Sequence, residues 1–122
     1  MSLLSRIENE EDIQIIKEYT LLPILLDMLT RDMEELKMYK DKIVYNHLLF
    51  YLKEIETAIY PKIQSIKNNM KKRDIKVLNT NTNAIGINVE YKVRGYIYYF
   101  TMLRSLVKAE LMTTLMNMRR RV

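Results

Sequence analysis

The scarcity of chain breakers is the feature that most restricts how this chain can fold. Its 122 residues include only two glycines, Gly86 and Gly95, and two prolines, Pro23 and Pro61. An all-β fold needs many tight turns, and glycine and proline supply most of them. We therefore expect a mainly α-helical chain that forms a single domain over residues 1–122.

Apolar residues spaced three and four positions apart predict the helices. Because Pro23 lacks a backbone N–H, the first helical region is either two helices, the second capped by Thr20, or one helix kinked at Pro23. Pro61 should bend the longest helix. The predicted helices span about residues 9–19, 22–39, 42–71 and 96–120.

The apolar spacing changes to every second residue between positions 75 and 93, which indicates β-strands. Turn-forming residues separate the two alternating segments, so we predict one β-hairpin that pairs Ile75–Asn79 with Ile87–Val93. Two strands alone are only marginally stable, and the hairpin should therefore lie on a helix. The predicted fold is a three- to four-helix bundle with a single β-hairpin inserted before the C-terminal helix.

The residues that most enzymes need are scarce. The chain has no cysteine and a single histidine, His47, and two glycines leave almost no room for a phosphate-binding loop. Neighbouring acids such as Glu10, Glu11 and Asp12 are typical of a solvated helix face rather than of a carboxylate pair held across a pocket. We therefore expect no enzyme, no metal, no cofactor and no small-molecule substrate.

Charge is divided unevenly between the two halves. Residues 1–61 contain seven Lys/Arg and twelve Asp/Glu, a net charge of −5, whereas residues 62–122 contain thirteen and three, a net charge of +10. A helix that leads into a basic hairpin resembles the wing of winged-helix regulators, which implies contact with DNA or RNA. Helix dipoles and edge-strand protection would also favour basic residues here. The candidate nucleic-acid-binding residues are Lys67, Lys71, Lys72, Arg73, Lys76, Lys92 and Arg94.

Two segments, Ile43–Leu52 and Tyr96–Leu103, are apolar on nearly every side of the helices predicted for them. Such helices are buried centrally or shared with a partner. We expect the two segments to pack together and their outer sides to form a homodimer or an interface with another protein. The candidate interface residues are Tyr45, Leu49, Phe50, Tyr96, Tyr98, Tyr99 and Met102. A small interaction protein is thus the main functional prediction, and a nucleic-acid-binding regulator is the alternative.

The sequence also bears on location. The N-terminus turns acidic after Ile7 and lacks the apolar stretch of a signal peptide, and no apolar run approaches the roughly 20 residues of a membrane span. We expect a cytoplasmic protein. The runs Leu21–Leu29 and Met70–Val77 resemble small helical proteins of spore-forming bacteria and their phages, a resemblance that suggests a phage or mobile element but implies no activity.

Overall fold

The computed structural model describes residues 8–121, with side chains up to Met118. These residues form three α-helices, a short 3-10 helix and one three-stranded antiparallel sheet, so the predicted bundle with a single hairpin is wrong. In chain order the elements are α1 (Glu10–Leu36), the 3-10 helix (Lys37–Tyr39), α2 (Ile43–Lys72), β1 (Ile75–Thr82), β2 (Gly86–Val93), β3 (Tyr96–Leu103) and α3 (Arg104–Arg121).

Helix α1 is continuous through Pro23, which excludes the two-helix alternative. A capping box starts it: the Asn9 side chain accepts from the Asp12 backbone N–H at 2.9 Å, and the Asp12 carboxylate accepts from the Asn9 N–H at 3.0 Å. Thr20 caps nothing, since its hydroxyl donates to the Ile16 carbonyl within the same helix at 2.8 Å.

The sheet is an antiparallel meander in the order β1-β2-β3. The two segments predicted as a hairpin do pair, from Ile75 opposite Val93 to Thr82 opposite Ile87, but they are two strands of three. A two-residue turn joins β2 to β3. Its residues Arg94 and Gly95 have φ angles of 47° and 94°, the positive values that a type I′ turn requires.

The C-terminal helix begins later than its apolar spacing predicts. Residues 96–103 are strand β3, and α3 starts only at Arg104. The apolar positions in this segment fit a helical period, but the run Tyr-Ile-Tyr-Tyr-Phe-Thr consists of aromatic and β-branched residues that favour strands. The turn at Arg94 and Gly95 brings this segment back beside β2, where pairing satisfies its backbone.

The core lies between the α1–α2 helix pair and one face of the sheet. Its fully buried members include Ile16 and Leu22 of α1, Ile59 of α2, and Val89 and Tyr91 of the central strand. The buried apolar residues form one cluster, to which α3 contributes Leu111 and Met118. The other face of the sheet carries Lys76, Lys92, Glu90, Tyr99 and asparagines.

Candidate functional site

The far half of the α1–α2 helix pair projects beyond the sheet. The loop between β1 and β2 and the start of α3 surround a cavity that also touches Ile24 of α1. Helix α1 continues for twelve residues past Ile24, which at 1.5 Å of rise per residue is about 18 Å. We call residues 26–52, which include the connection between the two helices, the distal hairpin.

A single apolar stripe on α2 is covered along one half and exposed along the other. Ile55 and Ile59 are buried beneath neighbouring elements, whereas Val44 and Leu48, on the same helix face, are 72% and 40% exposed. Ile43 and Phe50, on other sides of this part of the helix, are 86% and 67% exposed. Four large apolar side chains are thus exposed within residues 43–50, and large exposed apolar patches mark interaction sites.

A groove between the two helices of the distal hairpin contains a cavity of about 390 Å³. Met33, Leu49 and Phe50 form its apolar walls. Glu56 lines it as well and is itself buried, accepting hydrogen bonds from the Lys53 ammonium at 2.8 Å and the Thr30 hydroxyl at 3.1 Å. The hydrogen bond from Lys53 is the main reason that the pKa of Glu56 is lowered.

Two tyrosines and a lysine meet where the helices connect. The rings of Tyr39 and Tyr45 contact edge to face with their centroids 5.6 Å apart. The Lys42 ammonium lies 5.5 Å and 5.2 Å from these two centroids, within the range of a cation–π interaction. Tyr45 is therefore held in place by its neighbours, although it remains partly accessible.

The candidate interface residues of the second segment lie on β3 and divide between surface and core. Tyr99 is 72% exposed and donates a hydrogen bond to Glu90 at 3.1 Å, which raises the pKa of Tyr99. Tyr96 is also exposed, but Tyr98 is half-buried against Tyr91, and Met102 is only 4% exposed. Met102 therefore lies in the core and not on a surface. The segment itself is a strand instead of the predicted helix.

The candidate basic residues also divide into two groups, exposed lysines and arginines that acidic residues bind. Lys67, Lys71 and Lys72 are exposed on α2, and Lys76 and Lys92 are exposed directly opposite each other on β1 and β2. Arg73 and Arg94 are instead engaged by acidic residues. The hairpin that was predicted to act as a wing forms two strands of the three-stranded sheet.

Four residues, Glu11, Asp12, Arg73 and Arg94, form an ion-pair network that we call the Asp12 cluster. Asp12 is 0% exposed, and its two carboxylate oxygens bind Arg73, at 2.8 Å, and Arg94. Glu11 binds Arg73 at 2.6 Å, and Arg94 also donates to the Arg73 carbonyl at 2.9 Å. The cluster ties the start of α1 to the end of α2 and to the β2–β3 turn.

Ionisation of Asp12 is maintained by the two arginines. Burial by itself raises the pKa of this carboxyl group, but the hydrogen bonds from Arg94 and Arg73 outweigh burial, and the pKa is lowered overall. Sequence reasoning missed this cluster and assigned Asp12 to a solvated face. The capping box was readable from Asn9 and Asp12, but nothing local pairs Asp12 with arginines 61 and 82 positions away.

The side chains that most often bind metals are dispersed in the described part of the chain. Among residues 8–121, no group of three or more His, Asp or Glu side chains is placed to hold a metal ion. His47 is exposed on the distal hairpin. No helix within the same residues is both long enough and apolar enough to cross a membrane.

Fold and surfaces together define an α+β protein in which a projecting helical hairpin is attached to a small antiparallel sheet. The family model described as YhjD protein matches residues 7–121, and the chain belongs to this family. The family description states no activity. No curated protein and no solved structure matches the chain.

Proposed function

We propose that the protein is a non-enzymatic interaction protein that forms a homodimer through its distal hairpin. The observation that carries this proposal is the α2 stripe, which is buried at Ile55 and Ile59 but exposed at Val44 and Leu48. Leu29 and Met33 of α1 are buried, but the helix pair leaves Val44 and Leu48 uncovered, so another layer would be needed to bury the exposed half of the stripe. A second distal hairpin would supply that layer and complete a four-helix bundle.

Charge supports an antiparallel arrangement of the two hairpins about a two-fold axis. Lys40 and Lys42 lie at the tip of the distal hairpin, while Asp32 and Glu54 are exposed nearer the sheet. In the antiparallel dimer the basic tip of each copy would lie beside the acidic base of the other. Each such exposed pair contributes at most about 1 kcal/mol, so charge would orient the dimer and apolar contact would hold it.

Sedimentation equilibrium tests the dimer directly. We expect twice the chain mass for the wild type, and a monomer for the double variant Val44→Glu with Leu48→Glu. Because each substitution occurs in both copies, four side chains change per dimer; at about 1.4 kcal/mol each, the dissociation constant should rise about 10,000-fold.

Met112→Glu is the matched control, because Met112 is an exposed methionine on α3, outside the distal hairpin. It should leave the dimer intact. Circular dichroism should show that all variants fold. A wild-type chain that sediments as a strict monomer at about 1 mM would overturn the proposal.

A protein partner is the second part of the same proposal. The groove beside Phe50 has apolar walls, and the Glu56 carboxylate that lines it is already hydrogen-bonded, so it suits apolar side chains of a partner better than a reacting substrate. A cytoplasmic location also belongs to the proposal, and it fits a chain without cysteine.

Nucleic-acid binding is the second candidate function, and one observation favours it. Lys76 and Lys92 are directly opposite each other on neighbouring strands, where like charges destabilise a sheet. A bound phosphate would relieve that repulsion, and Lys71 and Lys72 extend the basic surface.

Retention on a DNA column that falls steeply with salt would support this second candidate. The informative variant changes Lys71, Lys72 and Lys92 to Ala and leaves Arg73 in the Asp12 cluster. Its control removes the same charge elsewhere, at Lys40, Lys42 and Lys108. Equal loss of retention in the two triple variants, or no retention at low salt, would exclude a specific basic site.

A further inference from the structure

Along the outer edge of β3, backbone groups point away from β2 in a regular pattern. A Cβ at Gly86 would stand 2.0 Å from the Met102 carbonyl oxygen, so that carbonyl points toward β2. The Arg104 N–H likewise donates to the Ile85 carbonyl at 3.0 Å. Because bonding alternates along an antiparallel strand, the backbone groups of Ile97, Tyr99 and Thr101 point to the opposite side. Within residues 8–121, β2 is the only strand that pairs with β3.

This edge lacks the features that usually protect a sheet from pairing. Residues 96–103 include no charge, proline or glycine, and their pairing with β2 runs without a register shift. The opposite edge strand, β1, carries Lys76 and a bulge at Leu78. Natural proteins blunt exposed edges by such means, and a long uncharged edge without them is a template for another strand.

A cleft follows the same edge. It has a volume of about 380 Å³ and is lined by four consecutive residues of β3, Tyr99–Met102. Successive side chains of a strand point to opposite faces, so a cleft that touches all four takes in the edge itself. Helix α1 contributes Ile13 and Lys17 to its wall, and α3 contributes Leu106 and Glu110.

We infer that β3 accepts an extended segment of a partner protein as a fourth strand, with alternating apolar side chains and at least one basic residue. Main-chain hydrogen bonds would supply affinity, and the apolar residues Ile13 and Leu106 would receive the side chains that face the helices. Two carboxylates, Glu8 and Glu110, and one ammonium, Lys17, line the cleft, so its net charge favours a basic ligand.

The cleft fits a single extended segment better than a second copy of β3. Helix α3 begins at Arg104, immediately after β3 ends at Leu103. A second copy would therefore bring its own helix toward the same wall, whereas an isolated segment brings none. This inference is independent of the distal-hairpin dimer, because it uses a different surface.

Amide hydrogen exchange measured by NMR tests the pattern residue by residue. The probe is a synthetic nine-residue peptide in which valine alternates with threonine and lysine. Without peptide, the amides of Ile97, Tyr99 and Thr101 should exchange rapidly, and those of Tyr98 and Phe100 slowly. With peptide, the first three should slow at least tenfold. The same peptide N-methylated at every residue should have no effect, since the methyl groups block pairing along both of its edges.

A pair of matched variants tests whether the peptide binds at the β3 edge of the sheet or at the β1 edge. Thr101, Asn88 and Asn81 occupy one row across the sheet. Thr101→Lys puts a charge beside the β3 edge and should weaken peptide binding at least tenfold, whereas Asn81→Lys on the β1 edge should leave it unchanged. A peptide with glutamate in place of lysine should bind less tightly.

Three results would overturn the inference. The probe could leave the exchange of all three amides unchanged, or the N-methylated peptide could bind as well as the parent. The three amides could already exchange slowly in the protein alone. In that case dependence on protein concentration would assign the edge to a second copy, and loss of protection in a chain lacking residues 1–7 would assign it to this chain's own N-terminal segment.

Discussion

Replacing Asp12 by asparagine removes the charge at the centre of the Asp12 cluster while keeping the size of the side chain. Removing one partner of a fully buried ion pair costs about 3–5 kcal/mol. Here Arg73 and Arg94 are 26% and 36% exposed, and Arg73 keeps Glu11, so water and Glu11 offset part of the loss. We therefore expect the free energy of unfolding to fall by about 2–3 kcal/mol, which at roughly 4 °C per kcal/mol lowers Tm by about 8–12 °C.

The matched control for this variant is Glu10→Gln. Glu10 lies in the same first turn of α1 but is exposed, so both variants remove one carboxylate from the positive end of the helix dipole. Urea and thermal unfolding at pH 7, followed by circular dichroism, should show a loss below about 1 kcal/mol for Glu10→Gln. If Asp12→Asn lost no more than this control, the cluster would not stabilise the fold as described.

Lowering the pH should remove the stability that ionised Asp12 contributes in the wild type. The pKa of Asp12 is lowered in the folded chain, so the stability that its ionised form provides is fully present above its unfolded pKa of about 3.9. It is lost as pH falls through the lower folded pKa. The stability difference between wild type and Asp12→Asn should thus stay constant from pH 7 to about pH 5 and shrink below pH 4. A difference that persisted unchanged at pH 2.5 would contradict the assignment.

Three further substitutions test the packing of sheet and helices by urea unfolding. Gly86→Ala should lose about 1–3 kcal/mol, since the new methyl group would meet the Met102 backbone oxygen; a neutral result would mean that the strands separate easily there. Tyr91→Phe should lose about 1 kcal/mol, because the buried hydroxyl donates to Glu8, and an unchanged stability would show that water replaces this bond without cost. Ile59→Ala should lose about 2–5 kcal/mol, because Ile59 is fully buried, and a loss below 1 kcal/mol would place it outside the core.

Long helices were the part of the fold that local pattern predicted best. The apolar stripe of α2 and its extent, predicted as about residues 42–71 and observed as Ile43–Lys72, follow from periodicity that is repeated over many turns. The end of the chain was harder to predict. Eight residues with helical apolar spacing became β3, because pairing with β2 across a two-residue turn outweighed that spacing.

For the candidate surfaces, too, local sequence pattern predicted some features and missed others. Sequence pattern identified Phe50 and Tyr99 as aromatic residues in unusually apolar segments, and both are exposed. It could not tell that Met102, two residues before the start of α3, is buried, or that Arg73 and Arg94 are held by Asp12. Those outcomes depend on contacts between residues far apart in the chain.

The sequence by itself determined the local elements: few breakers and long apolar stripes specify helices, and alternation between Ile75 and Val93 specifies strands. Only the tertiary structure decided what each element leaves uncovered. The sheet ends near Ile24 while the helices continue, which exposes the distal hairpin, and β3 closes the sheet with an unprotected edge. Periodicity is a property of neighbouring residues, whereas burial depends on which elements meet in space. This is why the sequence could name the two apolar segments, while only the folded chain decided which of their residues form the two candidate binding surfaces.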